Sequence, residues 1–263
     1  YSGETDAYQP CEPSIAISPA NPDIMVAGSV LDNVHRSTDG GWTWKSETLT
    51  SRYGVFGDPC VIASPKGDFY YLHLSNPDGQ AWSSEALLDR IVIQRGKGKG
   101  KRWNKGAGMG LNAQKDQDKE WAAVSVNGRS LVSCWTQFDK YDSRLASDSS
   151  IILCSTSNRK ATVWTEPVRV NKLAGDCRDG DWTVEGAVPD IAADGTIYVA
   201  WAHADTIWMD RSMDGGVTWL KKDLRVAQIA GGWDCVVRGF NRANGMPVTR
   251  VDRSNGPHAG RVY

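Results

Sequence analysis

The chain has 263 residues, enough for one large all-β domain or two small ones, and its 27 Gly, 11 Pro and 12 Trp favour strands and turns over helices. A formal net charge of −1 provides no global attraction to nucleic acid or to an anionic membrane. No run of about 18 apolar residues occurs, so the sequence predicts no transmembrane helix.

Short apolar segments recur along the chain in a fixed order. Each unit has an opening strand, a Gly, Asn or Pro turn, a second strand, a polar connection, a third strand, a tight turn and a fourth strand. Such β-branched and aromatic segments separated by turn residues are typical of antiparallel hairpins. The opening strands are predicted at residues 14–17, 60–63, 122–124 and 190–192, and the second strands at residues 24–27, 69–72, 131–134 and 197–200.

One eight-residue turn motif occurs twice. Residues 37–44 and 212–219 both fit S-x-D-x-G-x-T-W at every fixed position, and these two segments are called the box turns below. Residues 94–103 and 155–164 are decayed copies that also end on Trp, and the four closing tryptophans are 59, 61 and 55 residues apart. A four-strand repeat at this interval predicts an all-β fold, a β-propeller with four-stranded blades.

The residues of the box turns have a local structural explanation. Glycine permits positive φ in the turn, and the carboxylates of Asp39 and Asp214 can accept hydrogen bonds from turn amides. The closing Trp can bury its ring between neighbouring blades. We therefore expect Asp39 and Asp214 to be structural rather than catalytic.

A fifth unit begins after the fourth. Residues 247–251 match an opening strand, and residues 255–263 match a turn and the start of a second strand. We expect residues 1–263 to form a single propeller domain with four blades and the start of a fifth, C-terminally incomplete, with six blades when complete. If these residues do form an incomplete ring, closing the propeller requires further blades or another chain, because an open ring leaves strand edges exposed.

The box turns resemble the Asp boxes of the bacterial neuraminidase (BNR) repeat families. Residues 57–75, 118–139, 184–204 and 231–263 extend the resemblance to a bacterial sialidase-like propeller family, commonly described as exo-α-sialidases. The resemblance covers essentially the whole chain. It implies a six-bladed propeller with Asp-box turns, a glycoside hydrolase acting on terminal sugars, and a secreted, periplasmic or cell-surface location.

Sialidases are expected to bind the sialate carboxylate with three Arg, to attack with a Tyr activated by Glu, and to use an Asp as acid/base. The Arg-Ile-Pro element expected near the first blade is absent from residues 1–60, so no site residue is carried over from the family. Asp boxes also occur in non-catalytic propellers. The alternative function is therefore a propeller module that binds glycan or protein within a larger cell-surface or secreted assembly.

Carboxylates precede the opening strands, which converge at the central channel of a propeller. Glu12, Asp58 and Glu120 each stand directly before an opening strand, Val188 takes that place in the fourth unit, and Glu185 lies just upstream. Converging carboxylates raise one another's pKa and favour a protonated acid beside an ionised partner, as glycoside hydrolysis requires. We expect Asp58, Glu120 and Glu185 to be catalytic and Glu12 to contact substrate. Capping of turns or binding of channel water is the alternative.

Four tryptophans, Trp82, Trp121, Trp182 and Trp233, lie outside the box turns and near loops. Aromatic faces suit sugar rings, and Trp182 belongs to a dense polar and aromatic loop that includes Arg178. We expect Trp121, Trp182, Trp233 and Arg178 to bind substrate. Packing of long loops over the channel is the competing explanation.

No cofactor is expected, although residues 116–120 alternate acids in a D-x-D-x-E pattern. This pattern allows a calcium loop but lacks the Gly of a standard one, so a solvated loop is favoured and no metal ligand is assigned. The basic residues within 97–105 lack interleaved aromatic residues apart from Trp103, so no nucleic-acid partner is expected. The expected partner is a glycan or glycoconjugate.

The six cysteines show no metal-ligand spacing. A disulfide between the loop residues Cys177 and Cys235 is one option in an oxidising compartment. Cys134 and Cys154 are instead expected to be small buried thiols within strands. Cysteine usage leaves the compartment open.

Overall fold

The computed structural model describes residues 11–97, 99–239 and 243–263. Within these ranges the chain forms 19 β-strands and one 3-10 turn at Ala81–Ser83, with no α-helix. No helical segment in the described ranges has the length and apolar character needed to cross a membrane. The prediction of an all-β fold is confirmed.

The strands form four successive antiparallel sheets. The first contains β1 (Ser14–Ile17), β2 (Met25–Ser29), β3 (Asn33–Ser37) and β4 (Lys45–Thr48). The second contains β5 (Cys60–Ala63), β6 (Phe69–Leu74), β7 (Ile91–Lys97) and β8 (Arg102–Trp103), and β9 (Ala107–Met109) also pairs with β7. The third contains β10 (Asp116–Val124), β11 (Ser130–Phe138), β12 (Ser150–Asn158) and β13 (Val168–Arg169). The fourth contains β14 (Glu185–Ile191), β15 (Ile197–His203), β16 (Thr206–Ser212) and β17 (Leu224–Gln228).

The opening strands of successive sheets pack side by side, β1 against β5, β5 against β10, and β10 against β14. In each sheet the strands follow chain order from the opening strand outward. Four-stranded sheets arranged around a shared line of opening strands are the blades of a β-propeller, so the predicted architecture is confirmed.

The start of the predicted fifth unit follows the fourth blade. A short hairpin of β18 (Asp234–Cys235) and β19 (Ala243–Asn244) precedes it. Val251 then bridges Val262 in antiparallel fashion, and its amide donates to Asp190 Oδ2 at 2.8 Å. Arg253 also contacts the Asp190 carboxylate. The fifth unit is thereby attached to the opening strand of the fourth blade.

The core lies between adjacent blades, and the second blade is covered on both of its faces. In β6, Tyr70 and Leu72 pack towards the third blade, whereas Phe69 and Tyr71 pack towards the first, and all four are fully buried. This alternation follows from the period-two geometry of a strand. The sequence of β6 is consequently apolar at nearly every position, as for a strand covered on both faces.

Both box turns are held by the same hydrogen bonds. The amide of Thr43 donates to Asp39 Oδ1 at 2.9 Å and its hydroxyl donates to Asp39 Oδ2 at 2.5 Å. Thr218 makes the same two bonds to Asp214, at 2.9 and 2.5 Å. Their hydrogen bonding supports the structural role that the sequence predicted for these two aspartates.

The four closing tryptophans differ from the prediction in one case. Trp103, Trp164 and Trp219 pack against the cores between blades, but Trp44 stays 40% exposed and its indole N–H donates to Gly41 O at 2.9 Å. The decayed copies at residues 94–103 and 155–164 likewise lie between the third and fourth strands of their blades, β7 and β8 in one case and β12 and β13 in the other. Gly98 in the first of them lies outside the described residues.

The cysteine predictions are wrong in both parts. Cys134 and Cys154 face each other directly across β11 and β12 and form a disulfide. Cys177 and Cys235 are free thiols in the described structure. The pairing depends on the register of two neighbouring strands, which brings the Cα atoms of Cys134 and Cys154 to 4.1 Å.

Candidate functional site

The backbone turns sharply where the chain approaches each opening strand. In every blade one residue there has a positive φ. It lies two positions before the first strand pair in the first two blades, and two positions before the first pair that follows a register shift in the other two. These residues are Glu12 (47°), Asp58 (46°), Lys119 (51°) and Gly186 (68°). Three of the four are not glycine, and the left-handed region costs such residues about 1–2 kcal/mol each. Unfavourable backbone at the same place in successive blades marks this end of the propeller as a candidate site.

This equivalence corrects the alignment made from the sequence. Lys119, rather than Glu120, occupies the place of Glu12 and Asp58, and Gly186 occupies it in the fourth blade. The physical reason is a register shift in β10 between Asp118 and Trp121, and another at the same place in β14. Bulges insert residues that a pattern of alternating apolar positions does not reveal.

Lys119 joins two of the predicted carboxylates. Its ammonium group lies 3.0 Å from Asp58 Oδ2 and 3.6 Å from Glu12 Oε1. Burial alone would lower the pKa of Lys119, but the charges of Asp58, Asp118 and Glu12 outweigh it and raise that pKa above its ordinary value. The ammonium group therefore remains a cation, and it forms ion pairs with both carboxylates.

Glu120 has the opposite environment. Its side chain is 2% exposed, and neither carboxyl oxygen accepts a hydrogen bond from another residue in the part of the chain that the structure describes. Burial, with a further contribution from the negative charge of Asp58, raises the pKa of Glu120 well above its ordinary value. The protonated form of this carboxyl group is therefore favoured relative to an exposed glutamate.

Asp118 is a second carboxyl group with a raised pKa. Burial is the largest cause and the charge of Asp58 the next, and together they raise the pKa of Asp118 to about 7. The amide of Lys119 donates to Asp118 Oδ1 at 2.8 Å, which partly stabilises the charged form. Three neighbouring residues of β10 thus supply a cation and two carboxyl groups with raised pKa values.

A cavity of about 300 Å³ lies at the channel mouth. It is lined by Glu12, Asp58, Lys119, Glu120, Trp121, Gly186, Asn244 and Met246, among others. Gly186 is required there because a Cβ atom would lie 2.8 Å from the Met246 side chain. A second cavity, of about 180 Å³, shares Glu12, Asp58 and Lys119 with the first. The volume of the larger cavity is at the lower end of the range for small-molecule sites.

The structure brings together four of the eight predicted site residues. Glu12, Asp58, Glu120 and Trp121 all line the larger cavity. Glu185 is completely buried at the position of the fourth blade that corresponds to Asp118 in the third, and it does not line that cavity.

The three remaining predicted residues lie away from the cavity. Arg178 is exposed, and Trp182 is 66% exposed with its ring edge-on to His203 at 6.2 Å. Trp233 is 2% exposed, and its indole N–H donates to the carbonyl oxygens of Asp181 and Thr183. The sugar-stacking role predicted for Trp233 conflicts with this burial, because the ring fixes the loop from beneath instead of facing solvent.

Sequence reasoning missed Lys119, Asp118 and Tyr141. Asp118 and Lys119 lie inside the D-x-D-x-E pattern of residues 116–120. The single lysine between acidic residues in this pattern is the sequence feature that could have indicated an ion pair at the site. No group of three or more His, Cys, Asp or Glu side chains in the described ranges is arranged to hold a metal ion. Asp116 instead accepts a hydrogen bond from the amide of Tyr141 at 2.7 Å.

The fold is similar to several solved structures. The GH93 α-L-arabinofuranosidase of Fusarium graminearum, solved with arabinobiose, matches with a TM-score of 0.60 and 14% identity over 100% of this chain and 76% of that one. The α-L-arabinanase of Penicillium chrysogenum, also with arabinobiose, matches with a TM-score of 0.59 and 14% identity over 96% of this chain and 74% of that one. The sialidase of Trypanosoma rangeli matches with a TM-score of 0.51 and 17% identity over 80% of this chain and 37% of its own.

No protein-family model and no curated protein sequence matches the chain. The structural similarities establish only the fold, a sialidase-like β-propeller of the kind found in glycoside hydrolases. They do not establish the activity, because proteins with sequence identities of 14–17% can share a fold and differ in function.

Proposed function

We propose that the protein is a carbohydrate-active enzyme, resembling sialidase-like glycoside hydrolases, that hydrolyses terminal sugars with the carboxyl groups at the channel mouth. The observation that carries this proposal is a pair of carboxyl groups in different environments at one cavity: Glu120 is buried and its pKa is raised, whereas Asp58 forms an ion pair with Lys119 at 3.0 Å. Two carboxyl groups with opposite protonation states are what acid-catalysed glycoside hydrolysis requires.

The two residues would take different roles. Glu120 would donate its proton to the glycosidic oxygen as the bond to the leaving group breaks. Asp58 would act on the other reacting partner, either by accepting a proton from the attacking water or by attacking the sugar carbon itself. Lys119 would hold Asp58 and Glu12 in place through the ion pairs at 3.0 and 3.6 Å.

A secreted, periplasmic or cell-surface location forms part of the proposal. The disulfide between Cys134 and Cys154 supports it, because disulfides persist mainly in oxidising compartments. The similarity of the fold to sialidases and arabinanases supports a glycan or glycoconjugate as the substrate.

The proposal is tested with a panel of fluorogenic glycosides, including α-L-arabinofuranosides and a sialoside, on wild type and on the Asp58→Asn variant. We expect wild type to release the fluorophore from at least one glycoside and the variant to lose this activity while retaining its circular dichroism spectrum. Equal activity of the two proteins would remove Asp58 from the mechanism. No release from any member of the panel would contradict hydrolysis.

A non-catalytic, glycan-binding propeller is the second candidate, and the depth of the acids favours it. Glu120 is only 2% exposed, and the two more accessible carboxylates, Asp58 and Glu12, already form ion pairs with Lys119. A module of this kind would retain ligands on a glycan array and release no sugar. Retention without hydrolysis would select this function over the first.

A further inference from the structure

An exposed tryptophan stands beside the channel mouth. Trp82 lies on the 3-10 turn Ala81–Ser83, in the loop between β6 and β7, and is 62% exposed. Phe56 packs edge-on against its ring at 5.7 Å with an interplanar angle of 83°. Tyr141, from the loop between β11 and β12, lies 5.9 Å away with its ring tilted by 36°. Two loops of different blades thus form one aromatic surface.

Hydrogen bonds and ring packing fix the Tyr141 side of this surface. The hydroxyl of Tyr141 donates to Asp179 Oδ2 at 2.5 Å, and its amide donates to Asp116 Oδ2 at 2.7 Å. Its ring also packs edge-on against the buried Phe138 at 5.2 Å. Aromatic side chains fixed before binding lose little conformational entropy when a ligand arrives.

The aromatic surface borders the smaller cavity at the channel mouth. Trp82 and Tyr141 line this cavity of about 180 Å³ together with Asp58, Asp118 and Lys119. Asp58 and Lys119 also line the larger cavity, so the two spaces are adjacent. An apolar wall opposite a few polar groups is the general form of a small-molecule site, and it matches a sugar ring, which has an apolar face and hydroxyl groups at its rim.

The charge of the smaller cavity selects the kind of sugar. The charged side chains among its described lining residues are Glu12, Asp58, Asp118 and Lys119. The single cation in this set already lies 3.0 and 3.6 Å from two of the carboxylates. A sialic or uronic acid placed here would meet an excess of negative charge and no further cation among the described lining residues, whereas hydroxyl groups can donate hydrogen bonds to the carboxylates.

We propose that Trp82 and Tyr141 form a subsite for an uncharged sugar unit, next to the unit that occupies the larger cavity. This inference rests on the proposed carbohydrate function and specifies its substrate class. The ligand is then an uncharged oligosaccharide of at least two units, and the aromatic surface contributes affinity rather than reacting groups.

The test is a set of calorimetric titrations with uncharged trisaccharides derived from arabinan, xylan, galactan and β-glucan, and with two acidic ones, 3′-sialyllactose and trigalacturonate. The proteins are wild type, Trp82→Ala, Trp82→Phe, and Trp42→Ala as the control. Trp42 is 90% exposed and belongs to a box turn at the far end of the first blade, so it matches Trp82 in type and exposure.

We expect wild type to bind at least one uncharged trisaccharide and neither acidic one. Trp82→Ala should weaken this binding about tenfold, Trp82→Phe should restore part of it, and Trp42→Ala should bind like wild type. Unchanged affinity in Trp82→Ala, tighter binding of an acidic trisaccharide, or no binding of any uncharged one would overturn the subsite. Binding that depends on Trp82 without hydrolysis of any glycoside would refute the enzymatic proposal and leave the subsite standing.

Discussion

The two ends of the blades use the same residue type for different purposes. In the box turns, Asp39 and Asp214 are exposed and accept hydrogen bonds from the hydroxyl and amide of a nearby Thr, and these bonds lower the pKa of each to about 2. At the channel mouth, Asp118 and Glu120 are buried and their pKa values are raised, that of Asp118 to about 7. Burial at the channel mouth and hydrogen bonding in the box turns, more than the carboxyl group itself, separate the two kinds of acid.

The backbone differs between the two ends in a parallel way. The positive φ angles of the first box turn fall on Gly40 and Gly41, which adopt them at little cost. At the channel mouth the same region of φ is occupied by Glu12, Asp58 and Lys119. Non-glycine side chains therefore occupy this unfavourable backbone region at equivalent positions of three blades beside the cavity, and strain of this kind is typical of functional sites.

Substituting one acid at each end by its amide gives the largest expected difference in hydrolytic activity. Glu120→Gln should lower hydrolysis by about 10²- to 10⁴-fold, because the amide cannot donate the proton to the leaving group. Asp39→Asn should leave hydrolysis unchanged, because the box turn lies at the opposite end of the blade. The check is kcat/KM on the best glycoside of the panel. Comparable activity of the two variants would erase the functional difference between the ends.

Removing the cation at the channel mouth should affect stability as well as activity. Lys119→Met leaves Asp58 and Glu12 without their shared partner, and we expect a loss of about 2 kcal/mol of unfolding free energy. Lys115→Met is the matched control, since Lys115 pairs with Asp139 at a more exposed place, and it should cost less than about 1 kcal/mol. Urea unfolding measures both. Equal losses would show that the pair at the channel mouth is an ordinary surface ion pair.

The pH dependence of stability should have opposite signs at the two ends. The pKa of Asp118 in the folded protein is above its ordinary value of 3.8, so its contribution is fully present below pH 3.8 and is lost as the pH rises to about 7. The pKa of Asp39 is lowered, so its contribution is present above pH 3.8 and is lost as the pH falls towards 2.

Thermal unfolding of the Asp118→Asn and Asp39→Asn variants between pH 2 and 8 checks these signs. Asp118→Asn should flatten the curve between pH 4 and 7, and Asp39→Asn should flatten it below pH 4. A variant whose curve runs parallel to that of wild type over its whole range would refute the assigned sign.

Substituting the second box aspartate gives the smallest expected effect. Asp214→Asn keeps one oxygen to accept from the Thr218 amide but weakens the bond from the Thr218 hydroxyl, so the melting temperature should fall by no more than about 3 °C. Calorimetry measures the change, with activity unaltered. A collapse of the fold in this variant would mean that a single box turn determines the stability of its blade.

The local parts of this structure could be predicted from the sequence. A box turn is determined by residues within eight positions of one another, so Asp39 and Asp214 were assigned correctly. The spacing of the closing tryptophans gave the number of blades. The apolar run of β6 follows from burial on both of its faces.

The site was only partly predictable because it depends on register and on contacts between distant loops. The bulges in β10 and β14 shift Lys119, rather than Glu120, into line with Asp58, and no periodic pattern records such an insertion. The Cys134–Cys154 pair needs the register of β11 on β12. Trp82 was recognised as a loop tryptophan, but its contact with Tyr141 joins loops of two different blades.

A titration of the side-chain carboxyl groups tests the difference between the two ends most directly. Carbon-13 NMR spectra of uniformly labelled protein, recorded from pH 2 to 9, follow each carboxyl signal, and the Asp118→Asn and Asp39→Asn variants assign the two that matter. We expect the titration midpoint of the carboxyl signal to be near pH 7 for Asp118 and near pH 2 for Asp39. Midpoints for both residues close to the ordinary aspartate value of 3.8 would contradict it.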